Sequence, residues 1–174
     1  MDDDRLIGSL RATRFFRDEP VARADIEAMV DVARWTGSAR NRQPWCFVAV
    51  HDRQTREALS RLGRYAGVLA VAPVALLLLS DTEAGEDTEF DIGRVCQSLL
   101  LAAHARALGS CPVTLYPAAN ADAAARLVGR PAPWRAGHAI ALGRPAAAPG
   151  GRSAIPTGRK PVAELLTHFE PPAR

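Results

Sequence analysis

The sequence predicts one domain of mixed helix and strand, and three observations carry that expectation. The chain has 174 residues, close to the roughly 150 typical of one domain. Helical stripes alternate along it with short apolar runs. No stretch reads as a linker, a repeat or a boundary, so residues 1–174 are expected to form one unit.

Asp2 to Arg11 reads as a short helix presenting Leu6, Ile7 and Leu10, and Pro20 ends the segment after it. Ile26, Met29, Val30 and Ala33 recur at i, i+3, i+4 and i+7, one stripe of an amphipathic helix. Thr36 to Pro44 is polar, carries Gly and Pro, and reads as a loop into a strand over Trp45–Val50. Asp52 is placed to cap a helix from Arg53 to about Leu62. Pro73 to Ser80 is continuously apolar, the pattern of a strand buried on both faces. Phe90 to Leu108 is the longest helical segment, with Gly109 as its expected C′ residue. Its apolar positions cover more than one face, which suggests burial by a second copy of the chain. Further strands are expected over Ser110–Tyr116 and Gly137–Leu142, with a short helix over Asp122–Val128. A Gly/Pro/Ala-rich loop follows over Gly143–Pro156, and the tail has one or two amphipathic turns.

Composition narrows the function classes. Lys and Arg number 22 against 19 Asp and Glu, a net charge of +3. A dedicated nucleic-acid binder usually carries a denser basic patch, so no nucleic-acid partner is expected. Three acidic residues stand where a signal peptide needs positive charge, and no apolar run approaches the ~20 residues of a membrane span. The expected location is the cytoplasm, with no membrane partner. Three cysteines without CxxC spacing read as reduced, small buried hydrophobes. The four histidines lie at no metal-ligand spacing, and phosphate-loop, dinucleotide, zinc-protease and serine-hydrolase signatures are absent. If the protein is an enzyme, a bound cofactor carries the chemistry, and no metal or catalytic side chain is expected.

Two segments stand apart. In Leu10-Arg-Ala-Thr-Arg-Phe-Phe16, Arg11 and Arg14 lie three apart, a spacing that can set two guanidinium groups around one phosphate. In Gly37-Ser-Ala-Arg-Asn-Arg-Gln-Pro-Trp45, Ser38, Asn41 and Gln43 offer donors and acceptors for the edge of a heterocycle. By residue type alone, both segments also read as exposed arginines and an ordinary polar loop.

Their order adds information. RATRFF followed by DEPV, GSARNRQPW, Ala72-Pro73-Val74, Asp91-Ile92-Gly93 running to Leu108-Gly109, Ile140 to Pro145 and Gly158-Arg-Lys-Pro161 together resemble the FMN-dependent nitroreductase family. The likeness runs from about Leu6 to His168. It implies an α+β fold, a mainly antiparallel sheet flanked by helices, and an intertwined homodimer with FMN at the interface. By that likeness Arg11, Ala12, Thr13 and Arg14 bind the phosphate and ribityl chain, with Arg159 and Lys160 adding to the clamp. Ser38, Ala39, Asn41 and Gln43 contact the flavin from the partner subunit. Pro112, Val113, Thr114 and Leu115 lie against the ring, one backbone N–H facing N5. The implied activity is ping-pong hydride transfer from NADH or NADPH through flavin N5 to a nitroaromatic, quinone or activated alkene. A flavin storage, delivery or sensing protein of the same fold is the alternative. Leu10, Ala12 and Gly37 depart from the commoner Arg, Ser and Pro, the first two removing phosphate contacts. The chain is short for the family, which implies a more open substrate side.

Overall fold

The computed structural model describes residues 3–148 and 158–169. Its centre is a four-stranded sheet in the order β1-β2-β4-β3 (Trp45–Val50, Val74–Asp81, Trp134–Gly143 and Gly109–Thr114), with every pairing antiparallel. The expected α+β architecture is observed.

Strand β2 explains the layering. Alternate side chains of a strand point to opposite faces. Leu76 and Leu78 enter one buried cluster while Ala75, Leu77 and Leu79 enter the other. The continuous apolar run is therefore a strand covered on both sides. The first face is covered by α2 (Arg23–Ala33) and α5 (Thr88–Ala105), with α1 (Asp3–Ser9) against α5. The second is covered by α3 (Arg53–Ser60), α4 (Val68–Val71) and α6 (Ala118–Leu127). The α2 stripe buries Ile26, Met29 and Ala33, with Val30 half-buried. Leu6 of α1 and Leu10 just after it are half-buried, but Ile7 is exposed. Asp52 caps α3 as expected, accepting from the Thr55 N–H at 2.7 Å.

Several boundaries differ from the sequence reading. Helix α5 stops at Ala105, and Ala107, not Gly109, takes the left-handed conformation at φ 55°. Leu108 N–H donates to Ala103 C=O and Ala107 N–H to His104 C=O, both at 3.0 Å. This is the paired bonding that satisfies the last carbonyls of a helix. Gly109 instead opens β3, where a Cβ would sit 2.6 Å from Thr13 Cγ2. Its missing side chain lets the N-terminal segment lie directly on the strand. Ile92, Val95, Leu99, Ala102 and Ala103 of α5 are covered within the chain. The polyfacial apolar pattern is thus largely answered by α2, α1 and the sheet without a second copy. Helix α6 begins at Ala118 and β4 at Trp134, earlier than expected, while β3 ends at Thr114. Helix α4 is new. Buried Arg56 of α3 donates to the Ala70 and Ala72 carbonyls, fixing the end of α4.

The three cysteines are free. Cys96 is half-buried, and burial pushes its thiol up to about 11. Among the described residues no helix is long and apolar enough to cross a membrane. Asp2 and the loop from residue 149 lie outside the described residues. The tail from Gly158 is exposed, including α7 (Val162–Leu165).

Candidate functional site

Strand β3 is an edge of the sheet, and Pro112 fits there because an edge strand tolerates a missing amide donor. The N-terminal segment runs beside its first residues. Ala12 bridges to Ser110, and Thr13 N–H donates to Ser110 C=O at 2.8 Å. The far end of β3 meets the segment before α4. Tyr116 N–H donates to Leu62 C=O at 3.2 Å, and a Cβ at Gly63 would collide with the Thr114 carbonyl oxygen.

Between these two junctions a trough of about 890 Å³ follows the strand. That volume lies within the range of small-molecule sites. Cys111, Pro112, Val113 and Thr114 form its floor, and Arg14 stands at the end near Ser110. Arg64, Tyr65, Gly67, Val68, Val71 and Tyr116 line the rest of it. At ~3.3 Å per residue, Ser110 and Thr114 lie roughly 13 Å apart.

The backbone supplies a donor to this trough. In an antiparallel pair, the N–H and C=O of one residue face the same side. Ser110 turns its carbonyl outward to Thr13, so the two-residue period turns residues 112 and 114 outward as well. Pro112 has no N–H. Thr114 therefore carries the outward amide donor.

The structure separates the expected site residues into groups. Arg14, Pro112, Val113 and Thr114 come together in the trough. Leu115 is fully buried on the core side instead. Arg11 Nη1 donates to Gly8 C=O at 2.8 Å and Leu10 C=O at 2.7 Å, closing the end of α1 rather than facing the trough. Arg159 Nη1 donates to Gly158 C=O, and Arg159 and Lys160 are exposed and do not line the trough.

The Ser38–Gln43 loop is also elsewhere in the single chain, packed on the start of α5. It is a built loop. Ser38 Oγ accepts the Gln43 N–H at 2.8 Å, Gln43 Nε2 donates to Asn41 Oδ1 at 3.2 Å, and Ala39 N–H donates to Asp91 Oδ2 at 2.9 Å. Asp91 is buried, and Arg42 Nη2 reaches Asp87 at 2.9 Å. Arg40, Asn41 and Gln43 hold φ of 53°, 54° and 50°. Such left-handed residues cost energy, persist only where surrounding contacts over-determine them, and cluster at ligand sites.

Glu89 ties this end of α5 to β4. Its Oε2 lies 3.3 Å from His138 Nε2. The hydrogen bond from His138, above all, holds the Glu89 carboxyl below its ordinary range, with Ser80 and Arg135 assisting against desolvation. A depressed carboxylate stabilises the fold above its unfolded pKa of ~4.3, and that contribution is lost as pH falls through the lower folded value. His138→Ala is expected to flatten the acid limb of stability below about pH 4.5. Urea unfolding at stepped pH checks this; parallel limbs in both proteins would contradict it.

Sequence reasoning missed Arg64, Tyr65 and Tyr116. The only signal was a polar and aromatic Gly-Arg-Tyr-Ala-Gly segment just before the long apolar run.

The donor set suits a phosphorylated planar cofactor. Arg14 has no carboxylate within 4.0 Å among the described residues, so its guanidinium is available. Gly67 lines the trough, and a Cβ there would meet nothing within 4 Å. An open apolar wall, an outward amide and an unpaired arginine define an α+β domain with a ligand trough along an edge strand.

The comparisons place that domain. The nitroreductase family model matches residues 7–66 and 60–144, and the chain belongs to that family. A Methanothermobacter thermautotrophicus protein named "Putative NADH dehydrogenase/NAD(P)H nitroreductase" is 30% identical over 156 residues, 87% of this chain and 82% of its own length. A solved "putative nitroreductase in complex with fmn" from Desulfovibrio desulfuricans superposes with a TM-score of 0.79 at 28% identity, covering 99% of each chain. A Parabacteroides distasonis structure has a TM-score of 0.81 at 22% identity over 94% of this chain and 95% of its own, which bears on the fold alone.

Proposed function

We propose that the chain binds FMN in the trough along β3 and acts as an NAD(P)H-dependent oxidoreductase. The observation that carries the reading is the shared trough of Arg14 and the outward Thr114 amide. The FMN complex of the Desulfovibrio desulfuricans relative supports the cofactor, and the name of the Methanothermobacter relative supports the reductant. FMN, when bound, supplies two-electron chemistry between NADH or NADPH and an electron-poor acceptor such as a nitroaromatic, quinone or activated alkene.

The residues of the chain bind, orient and shield. With FMN bound, Arg14 would hold its phosphate with charge-assisted hydrogen bonds, and Thr114 N–H would offer a donor to the ring. Val68, Val71 and Pro112 supply apolar surface that excludes water from the ring. Arginine charge nearby favours electron gain by the ring. None of the Ser38–Gln43 loop, Arg159 and Lys160 lines the trough in its own chain, and we assign the loop to the trough of a second copy. Exposed Val162, Leu165 and Phe169 on the tail favour such a partner.

The test is the visible spectrum of the FMN-reconstituted protein under anaerobic conditions. Addition of NADH or NADPH is expected to bleach it, and a quinone to restore it. Bound flavin that neither reductant bleaches would show binding without turnover.

A further inference from the structure

We infer that Arg64, with Tyr65 and Tyr116, forms a subsite at the far end of the trough for a planar molecule bearing an anionic group. It rests on the proposed function and names the ligand class of that same site. Arg64 and Arg14 enter from opposite ends. Arg14 follows the segment bonded to Ser110, whereas Arg64 adjoins Gly63, which packs against Thr114. Both arginines line the one trough, so a phosphate held by Arg14 leaves the Arg64 guanidinium at the other end, where Tyr65 and Tyr116 stand exposed at the mouth.

The chemistry of this end is specific. The Arg64 guanidinium carbon lies 5.4 Å from the centroid of the Tyr65 ring. Such stacking pre-orients a guanidinium while leaving its N–H edge free. Arg64 has no carboxylate within 4.0 Å among the described residues, unlike Arg17, Arg34, Arg53 and Arg135. Tyr65 and Tyr116 are 80% and 74% exposed, large aromatic faces left open at a pocket mouth. Flat rings stack on tyrosine faces, and a forked cation selects a carboxylate or phosphate. Neutral flat compounds would gain only the stacking. The anion has two possible sources: a carboxylate on the acceptor or the phosphates of the reductant.

The test is calorimetric titration of wild type, Arg64→Gln and Arg64→Lys, each after incubation with FMN. The probes are sodium benzoate, benzamide and NADP⁺. Wild type is expected to prefer benzoate over benzamide, and Arg64→Gln to weaken benzoate about tenfold or more without changing benzamide. Arg64→Lys should recover part of the loss. A loss confined to NADP⁺ would assign the anion to the reductant and keep the subsite. Equal binding of benzoate, benzamide and NADP⁺ to wild type and Arg64→Gln would overturn it. So would loss of FMN retention relative to riboflavin in Arg64→Gln, which would make Arg64 a cofactor-phosphate ligand. If wild type takes up no FMN, the proposed redox function fails. The Arg64-dependent preference for benzoate is then read independently from the same titrations.

Discussion

Arg14→Ala is expected to weaken FMN binding roughly ten- to hundred-fold while leaving riboflavin binding nearly unchanged. A charge-assisted hydrogen bond is worth about 1.5–3 kcal/mol. Arg14 is exposed and lacks a carboxylate partner within 4.0 Å among the described residues, so its removal disturbs little else. Arg11→Ala is the contrast. Its guanidinium already serves the Gly8 and Leu10 carbonyls, so FMN affinity should hold while the end of α1 loosens. Fluorescence titration with both flavins reads the two outcomes. An Arg14 variant that discriminates FMN from riboflavin as well as wild type does would remove Arg14 from the phosphate site.

Leu99→Ala is expected to cost about 2–5 kcal/mol of stability, the range for a buried leucine replaced by a smaller side chain. Leu99 is 0% exposed in the cluster where α5 meets α2 and the sheet. At ~2–4 °C per kcal/mol for a chain of this size, the flavin-free protein should melt roughly 4–20 °C lower. The same helix carries Phe90, which is 72% exposed. Phe90→Ala should stay within about 0.5 kcal/mol. Thermal unfolding of the two variants checks the assignment of faces on α5. Equal losses at Leu99 and Phe90 would contradict it.

The fold was legible where one period dominates. The β2 run announces two-sided burial, the Ile26–Ala33 stripe announces a core-facing helix, and Asp52 before Arg53 announces a cap. Helix α4 was not legible because four helical residues inside a continuously apolar run have no periodicity to read. The early start of α6 hides in Ala118 and Ala119, which define no stripe. Gly109 looked like a helix terminator because glycine commonly ends helices, but tertiary contact with Thr13 decides its role. The site was legible in part for the same reason. Arg14 stands in one of the motifs, whereas Pro112–Thr114 were expected only from the resemblance as a whole; all four line the trough. Arg64 and Tyr65 reach the trough through Gly63 packing on Thr114, a contact between distant segments with no local pattern. Arg11 illustrates the reverse case, a residue of the right type whose nearest acceptors are its own helix's carbonyls.

A crystal structure of the protein grown with FMN decides where the cofactor lies. The phosphate is expected within hydrogen-bond distance of Arg14, the ring against Pro112–Thr114 with Thr114 N–H toward N5, and the Ser38–Gln43 loop of a second copy at the ring edge. FMN bound away from β3, or held there with Arg14 turned out of reach, would contradict that placement.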